Sequence, residues 1–84
     1  MLFRSHRAIE YYEQHLAIAR EIGDRQGEGI ALWNMSLALD KLGDRKRAIE
    51  DAEAALKIKE QIEDPNAGKV RSQLEEWGKA GNRE

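Results

Sequence analysis

The chain repeats itself at a spacing of forty residues. Arg7-Ala8-Ile9-Glu10 returns as Arg47-Ala48-Ile49-Glu50, and Glu13, Leu16, Ile18, Ile22 and Asp24 return as Glu53, Leu56, Ile58, Ile62 and Asp64. A fixed period between about twenty and fifty residues marks a solenoid, in which each unit buries its apolar face only against its neighbours. Such an architecture presents a surface more readily than an enclosed pocket.

Eighty-four residues allow one domain, near the size at which a single core becomes marginal. Charged residues make up 36% and hydrophobic ones 40%, with a single Pro, which is a helical and globular profile rather than a disordered one. No apolar run reaches the roughly 18 residues that a bilayer-spanning helix needs, so no membrane association is expected. A formal net charge of −2 argues against a nucleic-acid partner, which calls for a basic face. The absence of cysteine excludes disulfides, thiol nucleophiles and Cys-based zinc sites, and fits a reducing, cytoplasmic setting. The amino terminus has no apolar core of signal-peptide length.

Apolar spacing and turn residues divide the chain into about four helices. Positions 8, 9, 11, 12, 16, 18, 19 and 22 trace a helical stripe that Gly23-Asp24 ends. A second helix is expected from about Glu28 to Leu42, with Ala31, Leu32, Met35, Ala38, Leu39 and Leu42 on one face. Gly43 stops it, and Asp44 can cap a third helix from about Arg45 to Ile62. On that helix Ala48, Ala52 and Ala55 form a ladder of small residues that lets a neighbour approach closely. Asp64-Pro65 breaks the chain, and Pro65 suits the first turn of a fourth helix ending near Gly78 and carrying Val70, Leu74 and Trp77. Glu21/Arg25 and Glu53/Lys57 have the spacing of surface ion pairs.

The segment Ala31-Leu32-Trp33-Asn34-Met35-Ser36-Leu37-Ala38-Leu39, then Leu42-Gly43-Asp44, Ala48-Ile49, Ala52, Ala55-Leu56 and Ile58, resembles the tetratricopeptide repeat. That family's unit is a helix A/helix B pair with small and large residues in this order. The common repeat has 34 residues, and the forty-residue spacing here resembles the longer variant with an extended helix B. The resemblance implies an all-α, antiparallel helix-turn-helix solenoid. Residues 1–5 are expected to be a non-repeat leader or an assembly scar, with a true start and irregular cap as the alternative. Residues 6–29 resemble helix B of a truncated repeat with its turn, 30–64 a complete repeat, 65–78 a carboxy-terminal capping helix, and 79–84 a frayed tail. The last helix departs from helix A register, since Ser72, Glu75 and Lys79 fall where Leu32, Met35 and Leu39 would recur.

The resemblance also implies a concave groove lined by helix A, which places Ile30, Trp33, Asn34, Leu37, Asp40 and Lys41 on the lining. An amide at Asn34 offers a donor and an acceptor to an extended peptide, and Trp33 offers apolar anchoring area. The plainer readings are that Trp33 packs on a neighbouring helix and that Asn34 completes the repeat. The carboxylate clamp of some family members does not carry over, because Trp33 stands where it uses Lys. Ala8, Tyr12 and His15 match Ala48, Ala52 and Ala55 and would face a helix A that does not precede them, so they form a candidate self-association face. His6 and His15 lie too far apart on one helix to share a metal. No carboxylate pair, nucleophile or glycine spacing forms a catalytic constellation, so neither an enzyme nor a cofactor is expected.

The leading expectation is a protein-interaction module binding a protein or peptide in its groove, within a larger scaffold or signalling protein. The alternatives are a structural element that forms a homo-oligomer through its first helix, and a sensor array of a larger nucleotide-hydrolysing regulator.

Overall fold

A computed structural model describes the backbone of residues 2–82 and the side chains of residues 6–78. Four α-helices follow one another: α1 (Leu2–Ile22), α2 (Arg25–Lys41), α3 (Arg45–Gln61) and α4 (Ala67–Asn82). Consecutive helices pack on one another, α2 on α1, α3 on α2 and α4 on α3, most extensively between α2 and α3. The result is a slab of 41 × 32 × 15 Å, an all-α helical repeat.

The three turns share one construction, and it recurs every twenty residues. Gly23, Gly43 and Glu63 take positive φ values of 74°, 87° and 57°. The next residue, Asp24, Asp44 or Asp64, donates its backbone N–H to the carbonyl five positions back: Ala19, Leu39 and Lys59, at 2.8, 2.9 and 2.8 Å. This closure satisfies helix-end carbonyls that would otherwise lack a partner. Each Asp carboxylate then turns forward and accepts a backbone N–H, from Gly27 at 2.9 Å, Arg47 at 3.2 Å and Asn66 at 2.8 Å. A single residue thus seals one helix and starts the next chain segment. Glycine reaches the left-handed region freely, whereas Glu63 is strained there.

The core forms where α2 meets α3. Leu32 clusters with Ala55 and Ile58. Met35 and Leu39 cluster with Ala48 and Ala52, and Val70 and Trp77 of α4 close the same cluster. Ala48, Ala52 and Ala55 are fully buried, so the alanine ladder brings the two helices close. Gly29 adds to this approach: a β-carbon there would stand 3.4 Å from Ile58 Cγ2. The buried Ser36 hydroxyl donates to the Trp33 carbonyl at 2.6 Å and so leaves no unsatisfied polar group.

Several helix limits differ from the sequence expectation. The second helix begins at Arg25, because Asp24 caps it before the glycines are reached. The fourth begins at Ala67, leaving Pro65 in the turn, and continues through Gly78 to Asn82. Glycine lowers helix propensity without ending a helix by itself, and Gly78 has open space around its Cα. The first begins at Leu2. Met1 and residues 83–84 lie outside the described residues, as do the side chains of 2–5 and 79–84.

Candidate functional site

The groove candidates of α2 follow helical spacing. Ile30, Asn34, Leu37 and Lys41 stand at steps of 4, 3 and 4 along the face turned away from Leu32, Met35 and Leu39. Ile30 and Lys41 are exposed, and Asn34 is half-buried. Among the described residues the Asn34 amide makes no side-chain hydrogen bond, and no buried side-chain polar atom lacks a partner. Its amide is therefore open to an outside partner. Trp33 and Leu37 are half-buried and pack against the core, Trp33 touching both apolar clusters. They form the floor of this face rather than projecting anchors.

Asp40 is already engaged. Its carboxylate accepts Arg45 Nε at 2.6 Å, and the same guanidinium lies 5.4 Å from the centre of the Trp77 ring. Arg45 thereby links the end of α2, the start of α3 and the far part of α4 through an ion pair and a cation–π contact. No local pattern singles out Arg45, since its partners lie five and thirty-two residues away.

A second charged group sits at the other end of α2. The buried Glu28 accepts Arg20 Nε of α1 at 3.1 Å and Arg25 at 2.9 Å, and Arg25 also donates to Gln61 of α3 at 2.6 Å. Burying a carboxylate is costly unless it is paired, and two guanidinium groups meet that need. The surface pair expected between Glu21 and Arg25 does not form, because Arg25 turns to Glu28 and Gln61 instead. Glu53 and Lys57 do not pair among the described residues either. One helix pair further on, Glu60 of α3 takes Arg71 of α4 at 2.6 Å. Arg20 and Glu60 are repeat equivalents, so the same seat carries a helix-to-helix ion pair of inverted polarity.

Lys59 is 3% exposed and pairs with Asp64 at 3.3 Å. The Asn66 backbone N–H holds the Asp64 carboxyl below its usual range, and Lys59 adds to this against the opposing effect of burial. Burial pushes Asp51 the other way, upward, assisted by Glu50 and Glu13 and resisted by Arg47 and Arg20. Neither group adjoins the groove residues. A hollow of about 420 Å³ lies at the α3–α4 turn, lined by Gln26, Ile62, Glu63, Asp64, Pro65 and Asn66, and contains none of the groove candidates.

On α1, Ala8, Tyr12 and His15 are half-buried, and Tyr12 packs inward with Ile9 and Leu16. The neighbouring Tyr11, Ile18 and Ile22 are 66%, 55% and 70% exposed, an outward stripe that the alanine-ladder comparison did not single out. Tyr11 meets Tyr12 edge-on, with ring centres 5.6 Å apart.

Three turns of one design, an alanine ladder and helices packed each on its predecessor define a helix-turn-helix repeat protein. The profile described as tetratricopeptide repeat matches residues 2–61, and the chain belongs to that family. Members generally serve as protein–protein interaction modules and are typically not enzymes. The match ends with α3, so α4 lies outside it. Comparison with curated proteins finds no match. Among the described residues no helix is long and apolar enough to cross a membrane, and no group of three His, Asp or Glu side chains is placed to hold a metal ion.

Proposed function

We propose that the chain is an interaction module that takes a partner's peptide or helix against the outer face of α2. Ile30 supplies apolar contact, Trp33 and Leu37 the floor, and Asn34 paired hydrogen bonds to a backbone. Lys41 is the rim charge left for a ligand, because Asp40 is held by Arg45. The observation that carries this reading is the half-exposed Asn34 amide, with no internal hydrogen bond among the described residues and Ile30 and Leu37 one turn away on either side. A role within a larger scaffold or signalling protein agrees with this reading, with α4 as the cap that closes the α2–α3 core.

The test is selection of peptides from a random display library on the full chain, followed by titration of one selected peptide. Asn34→Ala is expected to weaken that peptide about tenfold while the far-ultraviolet spectrum stays unchanged, in line with one or two lost hydrogen bonds. Equal binding by Asn34→Ala and by Ile30→Ser would place the ligand elsewhere. Loss of helicity on Asn34→Ala would make Asn34 structural.

A further inference from the structure

We propose that the outer face of α1 pairs antiparallel with the same face of a second copy of this chain, about a two-fold axis passing beside His15. Among the described residues, three of the five exposed large hydrophobic side chains lie on this one helix: Tyr11, Ile18 and Ile22. With Ala8 and His15 they fall at 8, 11, 15, 18 and 22, alternating steps of three and four. That alternation is the seam along which two helices pack side by side. Here it runs four turns, about 21 Å at 1.5 Å per residue.

The choice of a second copy over another occupant rests on the seam's own symmetry. Reversed about an axis just before residue 15, Tyr11 comes within one residue of Ile18 and the small Ala8 within one residue of the large Ile22, so size complements size. The flank carries Arg7 at one end and Glu21 at the other, both exposed and neither in an ion pair among the described residues. An antiparallel partner sets Arg7 beside Glu21 twice. A parallel partner turns this flank toward the opposite one, which carries Tyr12 and Ala19, and forms no such pairs. The self-complementary contact of a two-fold dimer has this pattern. Tyr12 and Ala19, on the other flank, are turned into the chain's own packing and stay there.

One helix face buries less than the roughly 1,200 Å² at which standard interfaces begin, so the dimer is weak, with a dissociation constant on the order of 100 µM. Sedimentation velocity on the full chain, from about 10 µM to about 1 mM, brackets that value. The expected result is a monomer passing to a dimer across the range. Ile18→Glu is expected to remain monomeric with unchanged helicity, because Ile18 is 55% exposed and a carboxylate there is costly only when a partner covers it.

The orientation has its own readout, since the chain contains no cysteine. His15→Cys is expected to form disulfide dimers on mild oxidation. Tyr11→Cys alone is not, but Tyr11→Cys mixed with Ile18→Cys is. A monomer throughout the range overturns the proposal, as does an assembly insensitive to Ile18→Glu. Tyr11→Cys cross-linking to itself as readily as His15→Cys overturns the antiparallel arrangement. Asn34→Ala is expected to leave association unchanged, so failure here and failure of the α2 surface are separate results.

Discussion

Helices α1 and α3 carry the same repeat but live in different surroundings. On α3, Ala48, Ala52, Ala55 and Ile58 are buried against α2. The matching residues of α1 are Ala8, Tyr12, His15 and Ile18; the first three are half-buried and Ile18 is exposed. The inner partners behave alike in both helices, since Ile9 and Leu16 are half-buried against the core just as Ile49 and Leu56 are. One face of the repeat is therefore fixed by the helix that follows. The other, on α3, is covered by α2. Sequence follows environment: where α2 presses closely the chain uses alanine, and where it does not, it uses Tyr and His.

The comparison is broken most sharply by truncating its two isoleucines. Ile58→Ala is expected to lower the unfolding free energy by about 3 kcal/mol through lost burial and a residual cavity. Ile18→Ala, at a 55% exposed position, should cost under about 1 kcal/mol. Urea midpoints at unchanged slope give both values. Equal losses would mean that α1 is packed as α3 is.

The turns that end the two helices allow a finer test. Gly23 and Glu63 are repeat equivalents, both with positive φ. Gly23→Ala should cost about 1 kcal/mol from backbone strain alone, because a β-carbon there meets nothing within 4 Å. Glu63→Gly should instead stabilise by about 0.5 kcal/mol, as relief of strain outweighs the flexibility added to the unfolded chain. Thermal midpoints moving in opposite directions would support the shared geometry.

Acid sensitivity sets the third turn apart from the body of α3. Asp64 ionises below its ordinary range in the folded chain. Its contribution is therefore complete above the unfolded carboxylate value, and is lost as pH falls through the folded one. Asp64→Asn should flatten that acid limb of stability, measured as the urea midpoint against pH, while leaving the cap able to accept from Asn66. Asp51 has the opposite sign, because its raised value makes the charged form a burden at neutral pH. Asp51→Asn should give a small gain at pH 7 that shrinks as pH falls through the raised value toward the unfolded one.

The sequence made the repeat, the alanine ladder and the Gly-Asp turns legible because each is a local pattern with a backbone cause. It hid the twenty-residue recurrence of those turns, since Glu63 replaces the glycine that would have advertised the third. Pro65 and Gly78 misled as boundary markers: the Asp64 turn places the start of α4 beyond Pro65, and the helix tolerates Gly78. The ties among Arg20, Glu28, Arg25 and Gln61, and among Asp40, Arg45 and Trp77, span three to thirty-six residues, and apart from Arg25–Glu28 they leave no periodic trace. Of the groove positions, the helical face of Ile30, Asn34, Leu37 and Lys41 was readable. The engagement of Asp40 by Arg45 was not. On α1, matching residues to the alanine ladder pointed to Ala8, Tyr12 and His15, while the exposure of Tyr11, Ile18 and Ile22 beside them emerged only from the packing.

Native-state hydrogen exchange on the full chain, at a concentration of about 10 µM where α1 is unpaired, tests the contrast between the two helices most directly. Residues 48–58, enclosed by α2 and closed by α4, are predicted to exchange at the rate of global unfolding. Residues 8–18 are predicted to exchange faster through local opening of α1. Protection of 8–18 equal to or greater than that of 48–58 would contradict the account.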